Sequence, residues 1–390
     1  MTFVPSGDSV EGVAKRWFAV ANGALDVSGA EGIDTGAELF VLPVRPSEPL
    51  ALWGVGANLW RRLVEGHVQE SDLTDDERAI VADMEQIGIA ATDEFHSARV
   101  NRIDPPWLSS PLHELVGALV QRVAGDAGIR LVMIKGPALH RQGLRGREHS
   151  GDVDVWVEAG AELRLAEELE RWGWTRAPLE FAPAMYHSLT MQPSSWGCEI
   201  DVHYRFPGTV GDEKGPFSYL LERCESISFG GVDVDVPEIG AHAVLHSLHL
   251  LRPNPLAEVG PSARHEAVGA LKRAGDGVID VTEKLGSLPI LREYLVQAFP
   301  ARHIPSTREP VPEDWQMRDA HSVAAYHRRS IRALPVRQRP RALWHAMWPS
   351  EDAARLSVAR RGGVAKTALE ARVKRILYGV ADVLGLRRSR

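Results

Sequence analysis

The stretch Gly151-Asp152-Val153-Asp154-Val155-Trp156-Val157 constrains this chain more than any other part of it. A strand turns successive side chains to opposite faces, so Asp152 and Asp154 share one face while Val153, Val155 and Val157 share the other. The segment Glu199-Ile200-Asp201-Val202-His203 repeats the pattern, with Ile200 and Val202 on one side and Asp201 and His203 on the other. If the two strands are neighbours, Asp152, Asp154 and Asp201 meet. Three converging carboxylates are the oxygen set that a pair of Mg2+ ions takes, with water and substrate phosphate completing the shells. Two-metal phosphoryl or nucleotidyl transfer is the chemistry to which they point. His203, two residues from Asp201 and on its side of the strand, is placed to support the acids.

The flanking sequence supplies a scaffold. Pro105-Pro106 marks a boundary, and Ser109 or Ser110 can cap a helix through Leu112, Leu115, Leu119 and Val123. Ile129 to Ile134 reads as a buried strand that ends at Lys135-Gly136 and opens a helix from Ala138 to Gln142. Free N–H groups at such a turn can meet the phosphates of a nucleotide, with Lys135 adding a point charge. Arg145 and Arg147, in a glycine-containing loop, either hold a triphosphate or form a surface pair. A helix from Ala161 to Trp172 stops at Gly173, a hairpin turns at Gly230-Gly231, and the pattern beyond Pro237 is helical almost to the end.

Met133-Ile134-Lys135-Gly136-Pro137-Ala138-Leu139, then Arg147 through Ser150-Gly151-Asp152-Val153-Asp154, then Ile200-Asp201-Val202-His203, resembles the nucleotidyltransferase superfamily of the DNA polymerase β type. The nearer likeness is to its uncharacterised bacterial "nucleotidyltransferase family protein" group, over about residues 108–290 and more loosely through Met347-Trp348-Pro349-Ser350. The resemblance implies an α/β palm with a mixed sheet, Asp152 and Asp154 holding both metals, and Asp201 holding one while acting as general base. It also implies nucleotide contacts from Lys135, Gly136 and Arg147. Where the superfamily has Gly-Ser, this chain has Gly136-Pro137, and proline has no N–H to give a phosphate.

Upstream, strand-like stretches at Arg16 to Ala21 and Glu38 to Val44 precede Leu50 to Trp60 and a helix through Arg61 to Val64. Thr74-x-x-Glu77 fits a capping box for a second helix, with Ile80, Met84 and Ile87 on one stripe and Gly88 as its stop. This order, with Leu52 to Trp60 and Met84-Glu85-Gln86-Ile87-Gly88-Ile89, resembles the PqqD-like family of leader-peptide recognition domains. That likeness implies a small winged-helix-like unit in which a peptide adds a strand to a sheet edge.

The rest of the composition narrows the setting. No run of about 18 apolar residues occurs and the first residues are polar and acidic, so neither a spanning helix nor a secretory signal is expected, and a cytoplasmic setting is. Cys198 and Cys224 lack CxxC spacing and read as reduced thiols. Residues 1–95 carry 17 acids against 6 Lys/Arg, and residues 327–390 carry 16 Lys/Arg against 4 acids. Helix-forming stretches interleave that basic tail, which reads as a solvated helix face rather than a nucleic-acid surface. His242, His246 and His249 share a helix face and can bind zinc or touch substrate, but the glutamate of HExxH is absent and the interleaved apolar residues favour packing. Asp280 matches an acid of the resembling family and reads equally as a helix-surface residue.

The expected fold class is α+β: a PqqD-like domain at 12–92, a linker at 93–107, a palm domain at 108–236 and a helical region at 237–390. The expected function is Mg2+-dependent transfer of NMP from an NTP, its base open, to a peptide or small molecule, in ribosomal peptide natural-product biosynthesis. A leader or precursor peptide is then the partner of the N-terminal domain. Two alternatives stay open. One is a non-catalytic adaptor that binds peptide or nucleotide; the other is a toxin–antitoxin or antibiotic-modifying transferase.

Overall fold

The computed structural model describes residues 15–30, 36–148, 150–179, 186–210, 214–254, 258–320 and 323–383. The chain divides into two compact units, Met1–Arg122 with Ser228–Asp233, and Val123–Ile227 with Val234–Arg390.

The first unit contains β1 (Arg16–Ala19), β2 (Gly23–Asp26), β3 (Leu39–Leu42), β4 (Leu50–Leu52), α1 (Gly54–Glu65), β5 (Val68–Gln69), α2 (Asp75–Ile87) and β6 (Ala90–Ala91), and α3 (Pro111–Asp126) leaves it. Its strands form two three-stranded sheets, ordered β5-β1-β6 and β2-β3-β4. Trp17, Leu39, Val41, Leu59, Trp60, Leu63 and Met84 fill its core, and the indole N–H of Trp60 donates to the Ile89 carbonyl at 2.8 Å. Helix α1 begins at Gly54, earlier than the run Arg61 to Val64 implies, because a distant acid caps it. Glu38 Oε1 accepts the Gly54 N–H at 2.8 Å while Oε2 holds Arg61 at 2.6 Å. The Thr74–Glu77 capping box opens α2 as its sequence requires, and Gly88 ends it with φ 86°. The buried stripe of α2 is Val81 and Met84 with Ile80 partly covered, whereas Ile87 at the last turn is exposed.

The second unit is built on a five-stranded mixed sheet, ordered β7-β8-β11-β10-β9, from β7 (Leu131–Ile134), β8 (Asp152–Val157), β9 (Trp174–Arg176), β10 (Ser188–Pro193) and β11 (Glu199–His203). Only β8 and β11 run parallel. Helix α4 (Gly136–Arg141) joins β7 to β8, α5 (Glu162–Arg171) joins β8 to β9, and α5 ends before Gly173, whose φ of 93° suits glycine. After α6 (Lys214–Leu221), β12 (Cys224–Phe229) and β13 (Val232–Pro237) form the expected hairpin, with Gly230 and Gly231 both at positive φ. Helices then follow, without further strands among the described residues: α7 (Ile239–Leu251), α8 (Pro261–Ala274), α9 (Val278–Lys284), α10 (Leu288–Ala298), α11 (Glu313–Arg318), α12 (Val323–Ala333), α13 (Arg339–Met347), α14 (Glu351–Ala359) and α15 (Ala368–Val383).

Helix α7 is buried nearly all round, and Val244, Leu245 and Leu248 pack with Trp156, Phe206, Phe217 and Ile134. Trp156 lies at the same strand parity as Asp152 and Asp154, so the acidic face of β8 runs directly into this core. The basic tail folds into helices, and two of its cations are structural: Arg372 lies over the Trp348 ring at 5.1 Å and Arg375 is buried. Both cysteines are free thiols that burial pushes up to about 12, which leaves them inert. Among the described residues, no helix is long and apolar enough to cross a membrane.

Candidate active site

Strand register brings the acids together. In the parallel pair of β8 and β11, Asp154 lies opposite Asp201, and in the antiparallel pair of β7 and β8, Ile134 lies opposite Asp154. Lys135, the next residue, is therefore delivered beside Asp154. Its ammonium sits 2.6 Å from Asp154 Oδ1 and 3.2 Å from His203 Nε2. His203 Nε2 lies 2.8 Å from the same Asp154 oxygen. An ionised carboxylate only accepts, so the imidazole donates its Nε2–H to Asp154, and Nδ1 is left buried without a partner. Burial, reinforced by Lys135, holds the His203 pKa well below its ordinary value and keeps the ring neutral.

Asp201 is the reactive member by environment. Thr190 faces it across β10 and donates its hydroxyl to Oδ1 at 2.5 Å, leaving Oδ2 without a hydrogen-bond donor among the described residues. Burial pushes its pKa up to about 6; the Thr190 hydrogen bond opposes that rise and Asp154 adds to it. A carboxylate with that pKa is ionised at neutral pH and still basic enough to take a proton.

Donor atoms of Asp154, Asp201 and His203 all lie within 4.8 Å of one another. The structure thus joins Asp154 and Asp201 as the sequence predicts, adds His203 as the third donor, and leaves Asp152 outside the group. Asp152 stands at the strand's partly exposed start, where Ser150 Oγ donates to its Oδ1 at 2.7 Å. The two carboxylates are hard oxygen donors that fit Mg2+ or Mn2+, and a neutral imidazole nitrogen beside them suits Mn2+ or Zn2+ better than Mg2+. Lys135 now supplies the positive charge that Asp154 needs.

The turn after β7 is held under tension. Lys135 has φ 61° and ψ −155°, and it is the one non-glycine residue at positive φ among the described residues. What fixes it comes from α7. His242 Nε2 accepts the Lys135 N–H at 2.7 Å, so Nδ1 carries the ring proton and meets Gln142 Oε1 at 2.6 Å. Gln142 Nε2 donates to the Pro237 carbonyl at 2.8 Å and to Glu225 at 2.7 Å, which fixes the amide the right way round. Burial lowers the His242 pKa to about 3, as a ring that must accept requires. Pro137 occupies the first turn of α4, where its missing N–H costs the helix nothing.

Of the three histidines on one face of α7, His242 is thus a fastener, His246 meets Glu266 at 3.3 Å, and His249 leaves Nδ1 buried without a partner. They do not gather around one point as a zinc site: the one metal-suited group among the described residues excludes all three. Arg147 is exposed, whereas Arg145 is partly covered and its pKa is lowered by burial and by Arg147. Asp280 is exposed on α9. Sequence reasoning missed Gln142, Thr190 and the fastening role of His242. Of these only Thr190 carries a local signal, since alternation places it on the same strand face as Ser188 and Gln192.

No protein-family model matches the chain, and no curated protein matches it. Among solved structures it is similar to the antibiotic-resistance factor ANT(2'')-Ia, with 13% identity and TM-score 0.30 over 48% of this chain and 94% of that one. An antigenic nucleotidyltransferase-like protein from Paracoccidioides brasiliensis gives 12% identity and TM-score 0.31 over 50% of this chain and 95% of that one. A tRNA nucleotidyltransferase with primer tRNA and an ATP analogue gives 15% and 0.21 over 68% and 92%. The overlap with all three is low.

Proposed function

We propose that this chain transfers NMP from a nucleoside triphosphate to an acceptor hydroxyl with the help of divalent cations. One observation carries the reading: Asp154 and Asp201 face each other across parallel strands, with Lys135 on one and Thr190 on the other. Asp154 and Asp201 would hold the first ion, and Asp152, one oxygen still unengaged, extends the set toward a second. Bound cations supply charge that offsets the oxyanions of the transferring phosphate. The protein's own part is positioning. Asp201 Oδ2 takes the proton of the acceptor hydroxyl, whose oxygen forms a bond to the α-phosphorus as the bond to pyrophosphate breaks and its electron pair leaves with pyrophosphate. Lys135, Gly136 and Arg147 line the side assigned to the triphosphate. Lys135 is able to reach it once it leaves Asp154.

The reading extends to the first unit. Strand β4 is the edge of the sheet β2-β3-β4, and Trp53 and Val55 beside it are 65% and 60% exposed. An extended peptide added there would gain backbone hydrogen bonds from the edge and apolar contact from Trp53. Under this proposal the domains are 12–92, 108–236 and 237–390, joined by 93–107, and the pathway is that of a ribosomally made peptide. A non-catalytic adaptor is the second reading, favoured by Pro137, which removes one backbone donor from the phosphate turn.

The decisive experiment mixes the full chain with each α-labelled NTP and Mg2+ or Mn2+, with peptide and small-molecule acceptors from its genomic neighbourhood. Labelled acceptor formed by the wild type and lost in Asp154→Asn and Asp201→Asn supports transfer. Nucleotide binding without any transfer supports the adaptor.

A further inference from the structure

A positive cluster lies next to the acids on the side away from Gly136. His187, just before β10, holds its ring 5.3 Å from that of His203 and tilted 50° to it. Arg252, at the C-terminal end of α7, approaches His187 Nε2 at 3.2 Å, and Arg318 of α11 approaches Nδ1 at 3.4 Å. A neutral imidazole has one N–H and one lone pair, so it can accept from only one of these guanidinium groups. Neither arginine forms an ion pair with any carboxylate among the described residues. Burial and the neighbouring Arg318 lower the Arg252 pKa, while Asp154 and Asp201 act in the opposite sense from beyond ion-pair distance. Such a pair wants an anion.

Space for one adjoins it. A cavity of about 390 Å³ is lined by His187, Tyr204, Arg205, Arg318, Tyr326 and Gln338. Two acids also line it: Glu313 is exposed, and Asp314 accepts the Gly208 N–H at 3.3 Å and feels the charges of Arg205 and Arg318 without an ion pair to Arg318. The cavity sits past the C-terminal end of β11, whereas Gly136 packs beside Ser150 and the start of the parallel β8. The two places therefore lie at opposite ends of the Asp154–Asp201 pair.

We propose that this cavity is the acceptor site, and that Arg252 and Arg318 hold an oxyanion group of the acceptor, a phosphate or a carboxylate, while its hydroxyl reaches Asp201. The assignment rests on the transferase reading, because in-line displacement puts the attacking oxygen and the departing pyrophosphate on opposite sides of the α-phosphorus. With the triphosphate at the Lys135–Gly136 end, the acceptor enters from the His203 end.

Titration calorimetry on the full chain with inorganic phosphate and with acetate tests this. The proposal expects one of the two anions to bind saturably at one site, and about tenfold or more weakly in Arg252→Gln and in Arg318→Gln. Whichever anion binds names the group. Where Arg252→Gln fails to fold, Arg318→Gln on the cavity wall decides alone. Failure of both anions to bind, or binding indifferent to Arg318→Gln, overturns the proposal. A parallel titration with Mn2+ and each NTP separates the two readings: loss of nucleotide binding in Arg318→Gln would assign the cavity to the triphosphate and overturn the acceptor site. Anion binding that tracks the arginines, with no NTP bound by any variant, upholds the oxyanion site and sinks the transferase.

Discussion

His242 Nε2 accepts the backbone N–H of Lys135 at 2.7 Å, across 107 residues of sequence. This bond ties a buried α7 side chain to the one residue whose backbone must be strained for its ammonium to reach Asp154. Removing the acceptor leaves a buried donor unpaired. His242→Phe is expected to cost about 1–3 kcal/mol of stability, and His242→Gln less. Urea denaturation of both variants checks it, and in an active preparation His242→Phe should raise KM for nucleotide more than it lowers kcat.

Acid should loosen the same region. The folded pKa values of His242 and His249 are lowered to about 3 by burial, while the unfolded value is near 6.5. Their contribution is therefore fully present above pH 6.5 and is lost as pH falls toward 3, because the unfolded chain binds the protons first. Chemical denaturation at pH 7.5 and at pH 5 should show the lower stability at pH 5, and His249→Phe should reduce the difference.

Asp154 and Asp201 should separate in stability although the proposed function assigns both to activity. Asp154→Asn leaves the Lys135 ammonium, 11% exposed, without its carboxylate, and is expected to destabilise by about 3–5 kcal/mol. Asp201 behaves in the opposite sense. Its folded pKa of about 6 is above the unfolded one, so its contribution is present below about pH 4 and lost as pH rises through 6. Asp201→Asn should accordingly be as stable as the wild type or more so at pH 7.5. Thermal melts at that pH settle both signs, and a melting temperature raised by Mn2+ in the wild type should stay unmoved in Asp201→Asn.

Strand addition at β4 predicts a proline effect. A peptide that pairs with the Leu50–Leu52 edge loses a backbone donor when proline is placed in its paired segment, and should bind about tenfold more weakly. Fluorescence anisotropy with the full chain measures this; indifference to the proline would reject the edge as the binding place.

Period-two reading placed Asp154 on one strand face and Asp201 with His203 on another because alternation is local and survives folding, while the pairing of the two strands appears only in the register. What it could not supply was the charge that accompanies them. Lys135 appears in sequence as a cation for phosphate, and only the antiparallel register of β7 on β8 sets it against Asp154. The same limit hid the Glu38 cap of α1, a contact spanning 16 residues, and the arginines that flank His187. Strand β2, Gly-Ala-Leu-Asp, was obscured because glycine and aspartate at its ends read as turn chemistry.

The Lys135–Asp154 pair gives Asp154 a resident counter-charge at rest. Under the proposed function a divalent ion held by Asp154 Oδ1 would take the place of a resident ammonium, so metal entry and lysine release would be two halves of one exchange. The strained backbone at Lys135 stays pinned by His242 during that exchange, which confines the movement to the four-carbon side chain. The displaced charge would swing about a fixed pivot, and under the proposed function the cation that balances Asp154 would become available to a polyphosphate.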